Sequence, residues 1–125
     1  MMNINEASQK TGLPKSTIRY YEKLNIIPPI KRDKNEVRTF EETDIEWLLF
    51  VKQMRGANVS IKALVHYISL FKEGEESIES RIELLTGELH KLQAHISGLQ
   101  VAEHSLSEKI EKYRTHVIPT EEKLS

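Results

Sequence analysis

The chain has 125 residues, of which 30% are charged, and it contains no cysteine. This length predicts one domain, or one small domain with an appendage, and no apolar run approaches the roughly 20 residues that span a membrane. The N-terminus lacks the basic and apolar regions of a secretory signal, so we expect a cytoplasmic protein. The absence of cysteine excludes disulfides, thiolate metal sites and cysteine nucleophiles.

The net charge of −1 conceals two halves of opposite sign. Residues 1–74 contain 12 lysines and arginines against 9 acidic residues, whereas residues 75–125 contain 6 against 10. The stretch Gln9–Arg38 alone has 8 basic and 3 acidic residues. A basic balance is typical of nucleic-acid-binding surfaces, and here it is confined to the front half.

A short helix and a tight turn open the chain. Asn3 with Glu6 three residues later is typical of a capping box, and it predicts a helix that runs to about Lys10. Gly12 ends this helix, and Pro14 is suited to the first position of the next one. The pattern predicts a helix-turn-helix.

The second helix is predicted over about residues 15–24, because the prolines at 28 and 29 cannot continue it. On a helical wheel it has a basic face and an apolar face. Such a helix can pack one face on its partner and offer the other to a major groove, although most basic stripes are simply solvated. The basic face contains Lys15, Ser16, Arg19 and Lys23, the apolar face contains Ile18, Tyr21 and Leu24, and Tyr20 lies between them.

A short hairpin is predicted over Ile30–Phe40, with polar residues at its middle. It adds a second basic element directly after the second helix, and together they favour contact with phosphate over a merely solvated face. Its basic residues are Lys31, Arg32, Lys34 and Arg38.

Two more helices follow, over about residues 42–55 and from a Ser60 cap onward, with Gly56 between them. Their apolar residues are expected to face inward. These are Ile45, Leu48, Leu49 and either Phe50 or Val51 in the third helix, and Ile61, Leu64, Val65, Ile68 and Phe71 in the fourth.

The back half has a heptad pattern sustained for five repeats, which predicts a coiled-coil helix roughly 54 Å long. Each large apolar side chain left in water forgoes about 1.5–3 kcal/mol, so this stripe needs a partner, most simply a second copy of the chain. Packing on its own domain is the alternative, and the heptad does not fix parallel or antiparallel pairing. Glu103 interrupts the stripe, which we call the apolar seam. The seam consists of Ile78, Ile82, Leu85, Leu89, Leu92, Ile96, Leu99, Leu106 and Ile110.

The motifs resemble, in order and spacing, those of the MerR family of bacterial transcription regulators. They are Asn3-Ile4-Asn5-Glu6-Ala7, Thr11-Gly12-Leu13, Ile18-Arg19-Tyr20-Tyr21-Glu22-Lys23, Pro28-Pro29, Arg38-Thr39-Phe40, Asp44-Ile45 and Val59-Ser60-Ile61. The resemblance implies an all-α fold with a small β-hairpin wing. It divides the chain into a winged helix-turn-helix domain (1–74), a dimerisation coiled coil (75–113) and a short tail (114–125).

The resemblance also implies a function. Members of this family form homodimers through an antiparallel coiled coil and bind a pseudo-palindromic operator in promoter DNA whose spacer is too long. Distorting that DNA aligns the promoter for RNA polymerase. The DNA contacts implied here, with Ser16 added from the helical wheel, are Lys15, Ser16, Thr17, Arg19, Tyr20, Tyr21, Lys34, Arg38, Ser60 and Lys62.

Two positions depart from the family pattern. The wing usually turns on Asn-Gly-Tyr-Arg, and Glu36 stands in place of that glycine. If this position has a positive φ, Glu36 is strained by roughly 1–3 kcal/mol, and its carboxylate lies near the DNA backbone. Glu41 stands where a serine or threonine usually caps the third helix, so that cap must come from elsewhere.

No catalytic, metal or cofactor site is indicated, and we predict that the chain is not an enzyme. The five histidines lack the spacing of a shared metal site. The aromatic residues Trp47, Phe50, Tyr67 and Phe71 are expected either in the core or along a pocket for an effector, whose identity the sequence does not indicate. The alternative function is a coiled-coil interaction module whose helix-turn-helix no longer binds DNA.

Overall fold

Helices dominate residues 1–117, which are the residues that the computed structural model describes. This confirms the all-α class with a hairpin wing and one long helix. Residues 118–125 of the expected tail lie outside the described part. The elements are α1 (Ile4–Thr11), α2 (Lys15–Lys23), β1 (Lys31–Arg32), β2 (Arg38–Thr39), α3 (Glu42–Gly56), α4 (Ile61–Lys72), a 3-10 turn (Gly74–Ser77), α5 (Ile78–Lys112) and a π-helical turn (Tyr113–Val117).

The helix caps follow local sequence signals. The Asn3 side chain accepts the Glu6 N–H at 2.9 Å, and the Glu6 carboxylate accepts the Asn3 N–H at 3.2 Å, so the capping box is confirmed. Gly12 ends α1 in the left-handed region, with φ 73°. Ser60 caps α4 by accepting the Ala63 N–H at 3.0 Å.

The start of α3 shows how a helix without serine or threonine is capped. The Asp44 carboxylate reaches back and accepts the Glu41 N–H at 2.8 Å. The cap therefore comes from inside the first turn, as the absence of a capping hydroxyl required. Pro14, by contrast, precedes α2 and does not occupy its first position.

A core between the four short helices and the hairpin holds the front of the chain together. Leu49, expected inside, is exposed because it lies about 100° around α3 from the centre of the buried face. Phe71, also expected inside, is 39% exposed because it lies in the last turn of α4, where it contacts Trp47 with ring centroids 5.0 Å apart. The buried apolar residues are Ala7, Leu13, Ile18, Tyr21, Ile26, Ile27, Ile30, Phe40, Ile45, Leu48, Val51, Val59, Leu64 and Ile68.

The hairpin is tied to the N-terminus by a bridge that the sequence does not signal. Arg32 pairs with Arg38 and Lys31 with Thr39 in the antiparallel register. Beyond the strands, the backbone of Met2 exchanges two hydrogen bonds with that of Phe40, at 3.0 and 2.7 Å. The bridge fixes one edge of the hairpin against α1.

The chain divides into two compact units, Met1–Thr86 and Gly87–Ser125. The first turns of α5 belong to the first unit because the Ser77 hydroxyl donates to the Leu70 and Gly74 carbonyls, and Arg81 donates to Ser77. In the second unit α5 continues to Lys112, with no buried side chain among residues 87–116. A search of residues 1–117 finds no helix long and apolar enough to cross a membrane.

Candidate nucleic-acid interface

Helix α2 presents a polar and basic face to solvent. Lys15, Ser16 and Arg19 are exposed, as are Tyr20 and Lys23, while Ile18 on the opposite face is fully buried. Among the described residues, no carboxylate forms an ion pair with the basic side chains of this face. The two faces predicted for this helix are therefore confirmed, and the basic one is available to an anionic partner. Thr17 is half-buried at its edge.

Tyr21 is the exception among the expected contact residues of α2. Its side chain is only 8% exposed and packs in the core. This agrees with the helical wheel, which places Tyr21 with Ile18, and not with the DNA contact that the family resemblance implies. The reason is periodicity, since a residue three positions from a core isoleucine lies on the same helix face. We therefore leave Tyr21 out of the proposed interface.

The start of α2 offers backbone groups as well as side chains. Pro14 has no side chain that can cap the helix, and no capping hydrogen bond is present. The Thr17 N–H donates to the Pro14 carbonyl, so the N–H groups of Lys15 and Ser16 are the ones left for a phosphate at the positive end of the helix dipole.

The turn before α2 is held by side chains on both sides. Thr11 accepts the Leu13 N–H at 3.2 Å and donates to the Ala7 carbonyl at 2.8 Å. From α3, the Lys52 ammonium donates to the Thr11 carbonyl at 2.8 Å. Gly12 leaves little room here, because a Cβ on it would lie 2.9 Å from the Lys52 Nζ. These contacts fix the angle at which α2 leaves α1.

The wing is closed by Asp33. Its carboxylate accepts the N–H groups of Asn35 and Val37 at 2.8 and 3.0 Å, and its own N–H donates to the Val37 carbonyl at 2.8 Å. This turn places Glu36 in the left-handed region, with φ 63°. The positive φ anticipated from the family's glycine is present, and Glu36 is strained as expected. Lys34 is exposed at the tip of the wing.

Glu22 links α2 to the wing. One carboxylate oxygen accepts the Arg38 Nε–H at 2.8 Å and lies 3.8 Å from Arg32, and the other accepts the Ile30 N–H at 3.0 Å. The Glu22 side chain is 16% exposed and that of Arg38 is 23% exposed. Arg38, expected to contact DNA, is thus oriented by Glu22 and uses only its Nε in that hydrogen bond. The sequence analysis did not predict this role, because it noted Glu22 only as one residue of the family motif.

The N-terminus of α4 places Ser60 and Lys62 at the surface, where both are exposed. The Ser60 oxygen accepts the cap hydrogen bond, which leaves its O–H able to donate to an anion. These two residues belong to the same unit as α2 and the wing.

A metal site is not indicated in the described part of the chain. No group of three or more histidine, aspartate or glutamate side chains within residues 1–117 is placed to hold a metal ion. His104 pairs with Glu108 at 3.1 Å on the surface of α5.

Replacing Glu36 by glycine is expected to stabilise the protein and to strengthen DNA binding. Relief of the left-handed strain stabilises the folded state by about 1–2 kcal/mol. The flexibility of glycine in the unfolded chain offsets about half of this, so the free energy of unfolding measured in urea should rise by about 0.5–1 kcal/mol. Glu36→Gln is the matched control, because it removes the charge and keeps the strain. It should raise DNA affinity without raising the free energy of unfolding. A Glu36→Gly protein less stable than the parent would contradict the assignment of strain.

The comparisons with known proteins all find regulatory proteins. Residues 2–70 match the family model for the MerR HTH family regulatory protein. The HTH-type transcriptional regulator AdhR of Bacillus subtilis strain 168 is 43% identical over 91 residues, which are 73% of this chain and 65% of that protein. A second regulator of that organism, YyaN, is 29% identical over 128 residues and is covered to 91%.

Solved structures are similar over nearly the whole chain. A protein from Listeria monocytogenes, described as a MerR family transcriptional regulator, superposes with a TM-score of 0.92 at 47% identity, covering 99% of this chain and 94% of that one. HiNmlR, a MerR family regulator lacking the sensor domain and bound to promoter DNA, superposes with a TM-score of 0.81, covering 90% and 89%. At 24% identity the second likeness shows the fold alone.

Proposed function

The chain belongs to the MerR HTH family of regulatory proteins, and from this premise we propose that it is a homodimer that binds a pseudo-palindromic operator in double-stranded promoter DNA. The observation that carries the proposal is the exposed basic face of α2 beside a basic wing in the same unit. The chain's relatives are transcriptional regulators, so an enzyme is not indicated. A bacterial regulator of this kind works in the cytoplasm, where promoter DNA lies.

The proposed contacts fall into three groups according to their place in the unit. The exposed face of α2 enters the major groove and contacts base edges and phosphates. The wing and the start of α4 contact the flanking backbone, where they set the position of α2 but carry little sequence information. The groups are Lys15, Ser16, Thr17, Arg19 and Tyr20 from α2, Lys34 and Arg38 from the wing, and Ser60 and Lys62 from α4.

The apolar seam of α5 is the proposed dimer interface. In the first unit Ile78 and Ile82 are exposed, and in the second unit so are Leu89, Ile96 and Leu99. At about 1.5–3 kcal/mol for each side chain removed from water, pairing with a second copy outweighs leaving the seam wet. We propose antiparallel pairing, as in the family. Leu85, Leu106 and Ile110 are exposed as well, and Leu92 is half-buried.

Distortion of the promoter is the proposed mode of regulation. In this proposal two DNA-binding units, one from each copy of the chain, contact two half-sites at a separation that straight DNA does not match, so the DNA bends to fit both. Bending an operator costs on the order of 1–6 kcal/mol, and contacts from the wing and from α4 can offset this cost. The bent promoter is then presented to RNA polymerase, the second proposed partner. HiNmlR, which shares this fold, is bound to promoter DNA, and this is in keeping with the proposal that promoter DNA is the partner here.

Replacing Arg19 by alanine is expected to weaken operator binding, because Arg19 is exposed at the middle of the α2 face. The loss should be about 1–3 kcal/mol if the guanidinium contacts a base, and the slope of log affinity against log salt should fall by about one unit. Lys72→Ala, at an exposed position late in α4, is the control for a lost charge. Unchanged affinity and slope in a folded Arg19→Ala protein would rule out the proposed docking.

The alternative of a protein-interaction module is not favoured, since the relatives are regulators of transcription. A mobility-shift assay with the DNA upstream of the gene separates the two functions. Binding to a discrete two-fold site at moderate salt supports the regulator. Binding that ignores sequence and disappears with salt would support the interaction module.

A further inference from the structure

An aromatic pocket lies on α3 and α4, and it is lined by residues that have no part in the proposed DNA contacts. Trp47, Phe50 and Tyr67 form its walls together with Glu46, and its volume is about 280 Å³. The three aromatic side chains are half-buried, so their rings are fixed by packing on one side and accessible on the other. All four residues belong to the first unit. This volume is slightly below that of most ligand pockets, which are about 300–1,000 Å³, so the pocket accommodates only a small ligand.

The three rings form a nearly equilateral triangle. The centroid of Trp47 lies 6.3 Å from that of Phe50 and 5.7 Å from that of Tyr67, and Phe50 and Tyr67 are 5.9 Å apart. The rings are inclined to one another by 86°, 50° and 47°, so they are not a parallel stack. With such spacing, one group above the triangle can lie within about 6 Å of all three centroids, which is the range of cation–π attraction.

The same aromatic cluster already holds a cation at its other end. The guanidinium carbon of Arg81 lies 5.5 Å from the ring centroid of Phe71, and Phe71 is in edge contact with Trp47 at 5.0 Å. Arg81 is itself held there by hydrogen bonds to Ser77 and to the Gly74 carbonyl. The interaction shows that one ring of this cluster, Phe71, already receives positive charge on its face.

Glu46 adds a negative charge to the wall of the pocket. Its side chain is exposed, and among residues 1–117 it forms no ion pair with a lysine or arginine. A carboxylate beside three aromatic rings complements a ligand that is both cationic and apolar. A simple metal ion is a poorer match, because it prefers several oxygen ligands and only one carboxylate is present.

We propose that this pocket binds a small organic cation, such as a quaternary ammonium or an alkylated amine. The cationic head lies over Trp47, Phe50 and Tyr67, and Glu46 neutralises its charge. The site is independent of the proposed DNA contacts, since none of its residues is among them. It gives the chain a ligand site within its DNA-binding unit.

The chain's one tryptophan, Trp47, makes the pocket directly observable. Titration of the full-length protein with benzyltrimethylammonium is expected to change the tryptophan fluorescence saturably, with a Kd of about 1–10 mM. Benzyl alcohol, a neutral aromatic compound that is soluble at these concentrations, and sodium chloride at matched ionic strength serve as controls. Neither should reproduce the saturable change.

Substitutions in and beside the pocket complete the test. Glu46→Gln is expected to weaken binding by about threefold or more, and Tyr67→Leu to weaken it further, while Glu42→Gln outside the pocket leaves it unchanged. Equal responses to the cation and to benzyl alcohol, or an unaltered Kd in Glu46→Gln, would overturn the proposal. So would a response seen only in the monomeric Leu92→Asp protein, because the pocket would then be covered by a second copy of the chain.

Discussion

The substitution Leu92→Asp is expected to convert the protein from a dimer into monomers and to lower operator affinity by at least about 100-fold. Leu92 stands at the middle of the apolar seam, so an aspartate there places a charge in the interface without a partner. A monomer also loses the gain that comes from binding two half-sites at once, which is typically about 100-fold or more. Light scattering measures the oligomeric state, and a mobility-shift titration measures the affinity.

The matched control is Ala94→Asp. Ala94 is exposed two residues farther along α5, on the face of the helix opposite the seam, and it receives the same charge in the same turn. It should remain a dimer and keep its operator affinity. If Leu92→Asp also remained a dimer, the seam would not be the interface. If it became a monomer with full affinity, the two-fold operator would be wrong.

The elements that sequence analysis predicted well are those whose signals are local. The cap at Asn3, the end of α1 at Gly12 and the Ser60 cap each depend on residues close together in the chain, and all three are present. The two faces of α2 follow from the helical period alone. The positive φ of Glu36 was anticipated because a glycine stands at the corresponding family position.

The features that were missed depend on residues far apart in the chain. The Met2–Phe40 bridge joins backbone groups, which leave no trace in the pattern of side chains. The Lys52 hydrogen bond to the Thr11 carbonyl crosses 41 positions. Leu49 was expected to be buried because it is apolar, yet its exposure is decided by which face of α3 the other helices cover. Tertiary packing, and not local preference, determines each of these.

The wing combines one feature that the sequence analysis predicted with one that it missed. Arg38 was predicted to contact DNA from the family resemblance, which does not reveal that Glu22 orients it. The pairing spans 16 residues and joins two elements whose relative placement the sequence does not give. Under the proposed function this pairing matters, because the angle of the wing against α2 would determine whether both reach the same stretch of DNA.

Replacing Glu22 by glutamine is therefore expected to reduce both stability and the discrimination between operator and other DNA. The amide still accepts the Ile30 N–H but loses the charge-assisted hydrogen bond to Arg38, which is worth about 1.5–3 kcal/mol in urea unfolding. Removing the negative charge of Glu22 from α2 strengthens the attraction to any DNA. A wing that is no longer oriented by Glu22 weakens binding to the operator. The ratio of operator affinity to nonspecific affinity should fall by about tenfold.

The comparison with Glu42→Gln separates this role from a general loss of charge. Glu42 pairs with Lys10 at 3.2 Å, but its side chain is 74% exposed, so its substitution should cost less than about 0.5 kcal/mol and leave the affinity ratio unchanged. A Glu22→Gln protein that is less stable but keeps its affinity ratio would show that Glu22 only supports the fold. A lower ratio, together with a salt slope no smaller than that of the parent, identifies Glu22 as the residue that sets the wing. The phosphate contacts would then be retained while their register on the operator is lost.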